Sequence, residues 1–311
     1  MPTPLTTLCR TATTFTPDKG LDEDALAAYL SRLSDVGLGF YMGSGGSGEG
    51  HALSLEELER VYRVGVSVAS GRVQANANLP EQHTVANTVM HAEVAVKAGV
   101  DVINIYPPTA WHGYKATDAE LDAYYDEVLA QVRHPVAIAP NPVIGYTPSA
   151  PLVAGICARH SQVVAVNLAG LNDSYYVALK DALQRDVEVY VPLRASAHTL
   201  AAGATGLLGA EANIIPQTFR RYLDAYTAGD AAELTRSYAE LLRFGDYTRQ
   251  FQTASPRWIK MSMTLLGLPG AAGGVRDPYR DAPADELERF AAGFRQLDVR
   301  EVQEGLAAAG R

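Results

Sequence analysis

The chain has 311 residues, of which 47% are hydrophobic and 20% are charged, and its formal net charge is −9. This length and apolar content predict a large buried core, in one α/β domain with an appendage or in two domains. The acidic balance and the absence of a Lys/Arg run argue against nucleic acid and anionic membranes as partners. The N-terminus has no basic segment and no long apolar run, so we expect a soluble, cytoplasmic protein without a signal peptide or membrane span.

Short apolar segments alternate with longer helical patterns through most of the chain. Eight strands are predicted at 5–15, 38–44, 72–78, 101–106, 135–141, 163–170, 187–194 and 205–213. A helical pattern follows each strand, and the second one opens with Ser54 and Glu57 at the spacing of a capping box. Eight successive βα units predict a closed parallel (β/α)8 TIM barrel. Only helical patterns follow, so we expect a barrel over residues 1–228 and a helical region over 229–311 packed on its side.

Polar residues at the C-terminal ends of the strands are the candidate site residues, because barrel active sites form at that face. The glycine-rich loop 43–49 after the second strand could form an anion-binding nest of backbone N–H groups, or it could be a flexible surface loop. The other candidates follow or end the fourth to eighth strands: Tyr106, His112, Asn141, Asn167, Arg194, Glu211 and Asn213.

Several of these candidates have a structural as well as a functional interpretation. Arg194 could hold a carboxylate through two parallel hydrogen bonds, or it could form an ion pair between loops. Asn141 and Asn167 are each typical of core amides, but together at one mouth they suggest a functional pair. Neither the two cysteines nor the histidines show metal-ligand spacing, so no metal or other cofactor is expected; the histidines that could converge are His51, His112 and His198.

The order of the motifs resembles the dihydrodipicolinate synthase/N-acetylneuraminate lyase family over nearly the whole chain. Residues 45–49 with Leu53, Ser54 and Glu57 are similar to the GTTGE…LS..E signature of that family. Further segments that fit are 13–17, Asn141-Pro142, 203–206, 213–216, Lys260 and Val275-Arg276. The resemblance implies a lyase that acts on 2-oxo acids and assembles as a homo-oligomer, either a dimer or a tetramer.

Four features depart from the family pattern. The lysine that forms a Schiff base at the end of the sixth strand is matched by Asn167, whose amide has no nucleophilic lone pair. The proton-relaying tyrosine of the fifth strand is matched by Pro140. The first threonine of GTTGE is matched by Gly46, whereas Ser47 keeps the hydroxyl of the second. The tyrosine pair after the fourth strand is matched by Thr-Ala at 109–110, which weakens the case for a site shared between protomers.

These observations favour an atypical lyase that binds a small carboxylate or 2-oxo acid at the barrel mouth without a covalent imine. A preorganised amide donor can supply roughly 3 kcal/mol to a developing oxyanion, so such a mechanism is physically possible. The expected catalytic residues are Asn167, Ser47, Asn141 and Tyr106, and the expected substrate-binding residues are Gly45, Gly46, Ser47, Arg194, Pro140, His112 and Glu211. The general base stays open among Tyr106, His112 and Glu211. The alternatives are a catalytically inactive homologue with a ligand-binding or regulatory role, and a purely structural subunit.

Overall fold

The computed structural model describes residues 5–251 and 256–310, so the predicted ranges 1–228 and 229–311 extend to residues outside the described part. The strands are β1 (Thr6–Arg10), β2 (Gly39–Met42), β3 (Ala75–Asn78), β4 (Ile103–Ile105), β5 (Val136–Ile138), β6 (Val163–Asn167), β7 (Glu188–Val191) and β8 (Gly206–Gly209). All pair in parallel in chain order, and β8 closes on β1. The predicted (β/α)8 TIM barrel is therefore confirmed.

A helix follows each strand, and four more helices follow within the described residues. They are α1 (Glu23–Asp35), α2 (Leu55–Ala69), α3 (Val85–Ala98), α4 (Asp118–Gln131), α5 (Ala150–Arg159), α6 (Asp173–Ala182), α7 (Ser196–Ala201), α8 (Pro216–Ala228), α9 (Ala231–Arg249), α10 (Arg257–Leu266), α11 (Ala284–Phe294) and α12 (Arg300–Ala308). The predicted capping box of α2 is present, because Ser54 and Glu57 exchange side-chain to backbone hydrogen bonds of 3.1 Å.

The strands are shorter than the sequence predicted, because the chain turns as soon as it leaves the barrel. β1 ends at Arg10 instead of reaching Phe15, and residues 211–213 form a 3-10 turn after β8. Asn213 in that turn is fully buried, and its amide bonds the backbone of Arg10 and Ala12. Asn213 therefore links the turn after β8 to the end of β1 and does not enter a site.

The interior of the barrel is filled by side chains that point inward from the strands, including Leu8, Tyr41, Ala165, Tyr190 and Leu208. A larger apolar cluster lies between the strands and the surrounding helices. The filled interior closes the barrel from below, so a ligand site can form only above this layer, where the strands end.

The C-terminal helices fix the ends of the barrel elements. Glu301 of α12 accepts hydrogen bonds from the backbone N–H groups of Gln217 and Thr218, which caps the start of α8. From α10, Trp258 lies over the mouth of the barrel, and Lys260 contacts the loop after β2. The extension therefore takes part in building the mouth.

Candidate functional site

A cavity of about 400 Å³ lies at the C-terminal ends of the strands; we call it the mouth cavity. Its polar lining comprises Arg10, Ser44, Ser47, Glu81, Tyr106, Asn141 and Glu211, and its other lining residues are Gly46, Val143, Ala169, Gly170, Ala210 and Trp258. Five residues that the sequence analysis placed at the site therefore meet in one cavity, namely Gly46, Ser47, Tyr106, Asn141 and Glu211.

Residues 43–50, the signature loop, are folded tightly on themselves. Gly48 N–H donates to Ser44 Oγ at 3.1 Å, and Gly50 N–H donates to Ser44 O at 2.8 Å. A side chain at Gly50 would overlap Gly43 O, so the turn requires glycine there. The N–H groups of residues 45–47 have no acceptor within the described part of the chain, and of these residues Gly46 and Ser47 line the mouth cavity, where a bound anion could accept from them. These hydrogen bonds and close contacts favour the nest interpretation over that of a flexible surface loop.

Contacts between Glu49 of this loop and two residues of the C-terminal region, Lys260 and Arg276, anchor the loop. Glu49 is fully buried, with its carboxylate 3.5 Å from Lys260 Nζ and accepting from the Arg276 N–H at 2.7 Å. Burial raises the pKa of Glu49 and lowers the pKa of Lys260, and the attraction between the two opposes both shifts. Lys260 Nζ also donates to Thr13 O. These residues hold the loop, and they lie outside the mouth cavity.

Asn167 lies beneath the mouth cavity and does not line it. It is 1% exposed, and its Nδ2 donates to Asn104 Oδ1 at 2.7 Å. Asn104 Nδ2 donates in turn to Asn78 Oδ1 at 2.6 Å, and Asn78 Nδ2 lies 3.4 Å from Tyr106 Oη. This amide chain (Asn167, Asn104 and Asn78) crosses the floor from β6 to β3 and ends at a phenol that lines the cavity. Asn167 thus has the position of a core amide.

Tyr106 and Asn141 occupy the predicted positions at the mouth. Tyr106 follows β4 and borders both the mouth cavity and a narrow gap below it, a gap too small to hold water. Burial, and to a lesser degree Glu81, raises the pKa of Tyr106, so its phenol stays protonated and can donate a hydrogen bond. Asn141 faces the cavity, but its Oδ1 already accepts from Val143 N–H at 3.1 Å. The amide keeps a second lone pair on Oδ1 and the two N–H donors of Nδ2 for contact with a ligand or with the neighbouring Tyr106 phenol.

Arg194 lies outside the mouth cavity, which corrects its expected position. It forms an exposed ion pair with Asp246 of α9 and lines an adjacent cavity of about 260 Å³. The ion-pair interpretation therefore describes this residue. Its partner is 52 positions away in the sequence, so no local pattern indicated the pair.

Three further candidates also lie away from the mouth cavity. His112 is exposed in the loop after β4 and packs edge-on against Trp111. Pro140 is buried behind the lining, and Gly45 lies against the side chain of Glu81 without facing the cavity. These three positions shape the surroundings of the site without lining it.

Arg10 supplies the guanidinium at the mouth that sequence reasoning assigned to Arg194. It is the last residue of β1 and lines the mouth cavity, the gap below it and the adjacent cavity. Its Nε atom is buried without a hydrogen-bond partner, and Arg10 forms no ion pair with any described residue. The signal was missed because the first strand was expected to continue to Phe15, which placed Arg10 in mid-strand.

Glu81 is the second residue that the sequence analysis missed. It follows β3 by three positions, in a loop without a recognisable motif, and its carboxylate lines the mouth cavity. Burial raises its pKa, and His51 and Arg10 counteract part of that shift. Glu81 and Glu211 are thus two carboxylates in one cavity with a single lining cation, Arg10.

None of the five lysines lines the mouth cavity. Lys19 is paired with Asp281, Lys97 is paired with Glu59, and Lys260 lies with Glu49. Lys115 and Lys180 are exposed, the first in the loop after β4 and the second on α6.

Another cavity, of about 440 Å³, lies near the outer side of the signature loop. Its three cations are already in ion pairs with carboxylates: Lys19 with Asp281, Arg276 with Glu57 and Arg280 with Asp277. It therefore offers no cation without an ion-pair partner for a ligand.

Over residues 5–251 and 256–310, no helix is long and apolar enough to cross a membrane. Within the same residues, no cluster of three or more His, Cys, Asp or Glu side chains could hold a metal ion.

The fold and the signature loop define a (β/α)8 barrel of the aldolase-like type. The sequence model of the dihydrodipicolinate synthetase family matches residues 5–297, and the chain belongs to this family. It is 28% identical to the 4-hydroxy-tetrahydrodipicolinate synthase of Acidothermus cellulolyticus, over 92% of this chain and 91% of that protein. It is 26% identical to an Acidovorax ebreus protein named "Probable 5-dehydro-4-deoxyglucarate dehydratase", over 88% of each chain.

Solved structures share the fold. The E. coli K12 prophage protein YagE, solved in complex with pyruvate, gives a TM-score of 0.83 at 22% identity and covers 95% of this chain and 99% of its own. Dihydrodipicolinate synthase from Aquifex aeolicus gives a TM-score of 0.82 at 19% identity, with coverages of 95% and 99%. At these identities the structural likeness establishes the fold alone.

Proposed function

We propose that this chain is a lyase that binds a small carboxylate or 2-oxo acid in the mouth cavity and acts without a covalent imine. The observation that carries the proposal is the unpaired Arg10 guanidinium in a cavity that no lysine lines. Family membership supports the lyase class, and the pyruvate complex of YagE supports the class of ligand. Assembly into dimers or tetramers and a cytoplasmic location stay predictions from the sequence.

Arg10 has the chemistry of a carboxylate anchor. A guanidinium presents parallel N–H donors that match the two oxygens of a carboxylate. A buried donor without a partner is unfavourable by about 1–3 kcal/mol, and a bound anion would remove that penalty. The signature loop adds the unpaired N–H groups of Gly46 and Ser47, which line the mouth cavity, and the Ser47 hydroxyl, which has no partner among the described residues.

The positions of the amines support a mechanism without an imine. Imine formation needs an unprotonated amine against the substrate carbonyl, and the position at the end of β6 holds the Asn167 amide. Polarisation of the carbonyl would then depend on hydrogen bonds. Tyr106, Ser47 and the Nδ2 of Asn141 are the donors that line the cavity, and one well-placed donor is worth roughly 3 kcal/mol in a transition state.

The alternative function is a catalytically inactive homologue that binds the same class of ligand. The unpaired Arg10 supports ligand binding in either case, so the two proposals differ only in turnover. Release of a carbonyl fragment or of water from hydroxylated 2-oxo acids, measured above a protein-free background, would establish the lyase. Ligand binding without any turnover would establish the alternative.

Thermal unfolding with pyruvate and 2-oxobutanoate tests the binding step. A ligand at 100 times its Kd stabilises the folded state by about 2.7 kcal/mol, so the melting temperature should rise. Arg10→Met should abolish the rise, and it should fold normally because the guanidinium makes no ion pair and no hydrogen bond with the described residues. Arg194→Met is the matched control, since it removes only an exposed ion pair. An equal rise in Arg10→Met and wild type, or no rise with any 2-oxo acid, would contradict the proposal.

A further inference from the structure

The carboxylate of Glu81 lies against the signature loop, and it fits there because Gly45 has no side chain. A Cβ atom at Gly45 would overlap the Oε2 atom of Glu81. Its carboxylate has no ion pair and no partner among the described residues other than its own backbone N–H. Glu81 thus places a carboxylate at the wall of the mouth cavity, and its oxygens make no ion pair and no hydrogen bond to other described residues.

The groups that face Glu81 come from three neighbouring elements. Arg10 lies at the end of β1, Tyr106 lies at the end of β4, and His51 follows the signature loop. Glu211 lines the same cavity from the turn after β8. The Arg10 guanidinium, the Tyr106 phenol and the carboxylates of Glu81 and Glu211 therefore border one space of about 400 Å³.

We infer that Glu81 is the acid–base residue of this site, which takes a proton from the carbon next to the carbonyl of a bound 2-oxo acid. This inference rests on the proposed function, because it requires the substrate carboxylate to lie at Arg10. In the step, the C–H bond breaks and its proton moves to a carboxylate oxygen of Glu81. The electron pair forms the C=C bond of an enolate, and the carbonyl π pair moves to the oxygen. The reverse step returns the proton to carbon.

Burial suits Glu81 to this step. A carboxylate that both accepts and returns a proton works best when its pKa lies closer to the operating pH than that of an exposed glutamate. Burial moves the pKa of Glu81 in that direction. The enolate oxygen would receive hydrogen bonds from Tyr106, whose raised pKa keeps its proton on the phenol, or from Arg10. The amide at Asn167 cannot act as an electron sink, so these donors are the means of stabilising the charge.

Exchange of the methyl protons of pyruvate in D₂O, followed by ¹H NMR, measures the step without knowledge of the natural substrate. Wild type should exchange the protons, and Glu81→Gln should reduce the rate by about 10²- to 10⁴-fold. The melting-temperature rise with pyruvate should persist in Glu81→Gln. Glu93→Gln, the same change on the exposed face of α3, is the matched control and should exchange as wild type does.

The pH profile gives a readout that a structural role would not move. The base must be ionised, so the exchange rate should fall on the acid side with an inflection above 4.5, the ordinary value for glutamate. Glu81→Asp should retain slower exchange and an acid limb, and it replaces Glu81→Gln as the test if the latter fails to fold.

Each outcome decides between the two proposals. Wild type that is stabilised by pyruvate but does not exchange its protons would overturn the role of Glu81 and leave the binding site intact. Exchange that survives in Glu81→Gln but disappears in Glu211→Gln would overturn it as well. Wild type that shows neither stabilisation nor exchange would overturn the proposed function itself.

Discussion

The Nδ2 atom of Asn167 lies 2.7 Å from the Oδ1 atom of Asn104, so the side chain that ends β6 is bonded to β4 beneath the mouth cavity. A chain of three neutral amides, Asn167, Asn104 and Asn78, forms the floor beneath the mouth cavity. Neutral hydrogen-bonded amides avoid the several kcal/mol that burial of an uncompensated charge would require. The three side chains of the floor therefore bond one another without any buried charge.

We predict that wild type will not form a borohydride-trappable imine with pyruvate. No lysine lines the mouth cavity, and Lys260, whose pKa is lowered by burial, donates to Thr13 O and lies against Glu49. Incubation with pyruvate and borohydride, followed by intact mass measurement, should show no stoichiometric adduct. An adduct that maps to Lys115 or Lys260 would relocate the chemistry to the loop after β4 or to α10.

The second prediction concerns restoration of the amine. Asn167→Lys should trap pyruvate weakly, because the new lysine starts in a gap that holds no water and breaks the bond to Asn104. Asn167→Lys with Pro140→Tyr should trap more, since a phenol at 140 would supply the missing proton relay. Pro140→Tyr alone is the control and should trap nothing. Equal absence of trapping in both lysine variants would show that the pocket differs from the family site by more than two side chains.

The order of elements was predictable from the sequence because burial on both faces makes a barrel strand a short apolar run between helical patterns. Tyr106, Asn141 and Glu211 were identified as mouth residues for the same reason, since each follows the end of a strand. Strand ends were less accurate, because the sequence does not show where the chain leaves the sheet. The first strand was predicted to extend five residues beyond Arg10, so Arg10 was not recognised as the residue that ends it.

The remaining differences come from contacts between distant parts of the chain. Arg194 lies outside the mouth cavity, in an ion pair with Asp246, and nothing near Arg194 in the sequence indicates that partner. Glu81 becomes part of the site because a glycine from another loop leaves room for its carboxylate. Such juxtapositions depend on packing between loops, which hydrophobic periodicity does not encode.

A third prediction concerns the rigidity of the signature loop. Gly50→Ala should destabilise the fold by about 1–3 kcal/mol, because the new methyl would overlap Gly43 O and force the backbone to shift. Gly155→Ala is the control: it lies inside α5 with only the Arg159 side chain near, at 3.6 Å. That change should stabilise the helix by up to about 1 kcal/mol. Urea unfolding of both variants measures the difference, and an unaffected Gly50→Ala would show that the loop is adaptable.

The last prediction is that the ion pair between Glu57 of α2 and Arg276 stabilises the fold to a degree that depends on pH. The Arg276 guanidinium donates to both carboxylate oxygens of Glu57, at 2.8 and 2.7 Å. The hydrogen bonds from Arg276 lower the pKa of Glu57, with the backbone of Ser54 contributing in the same direction. A lowered folded-state pKa means that the stabilisation is fully present above the unfolded value of 4.5 and is lost as the pH falls through the folded value.

Glu57→Gln isolates this contribution from the other carboxylates that titrate in the same range, because Glu49 and Glu301 are unchanged in both proteins. At pH 7 the variant should be less stable than wild type by about 1.5–3 kcal/mol, the range for hydrogen bonds to charged groups. As the pH falls below 4.5 the difference should shrink, since protonated glutamate and glutamine are both neutral. Urea unfolding of the two proteins at several pH values gives the comparison. A difference that stays constant down to pH 3 would mean that Glu57 acts through the shape of its capping box and not through its charge on Arg276.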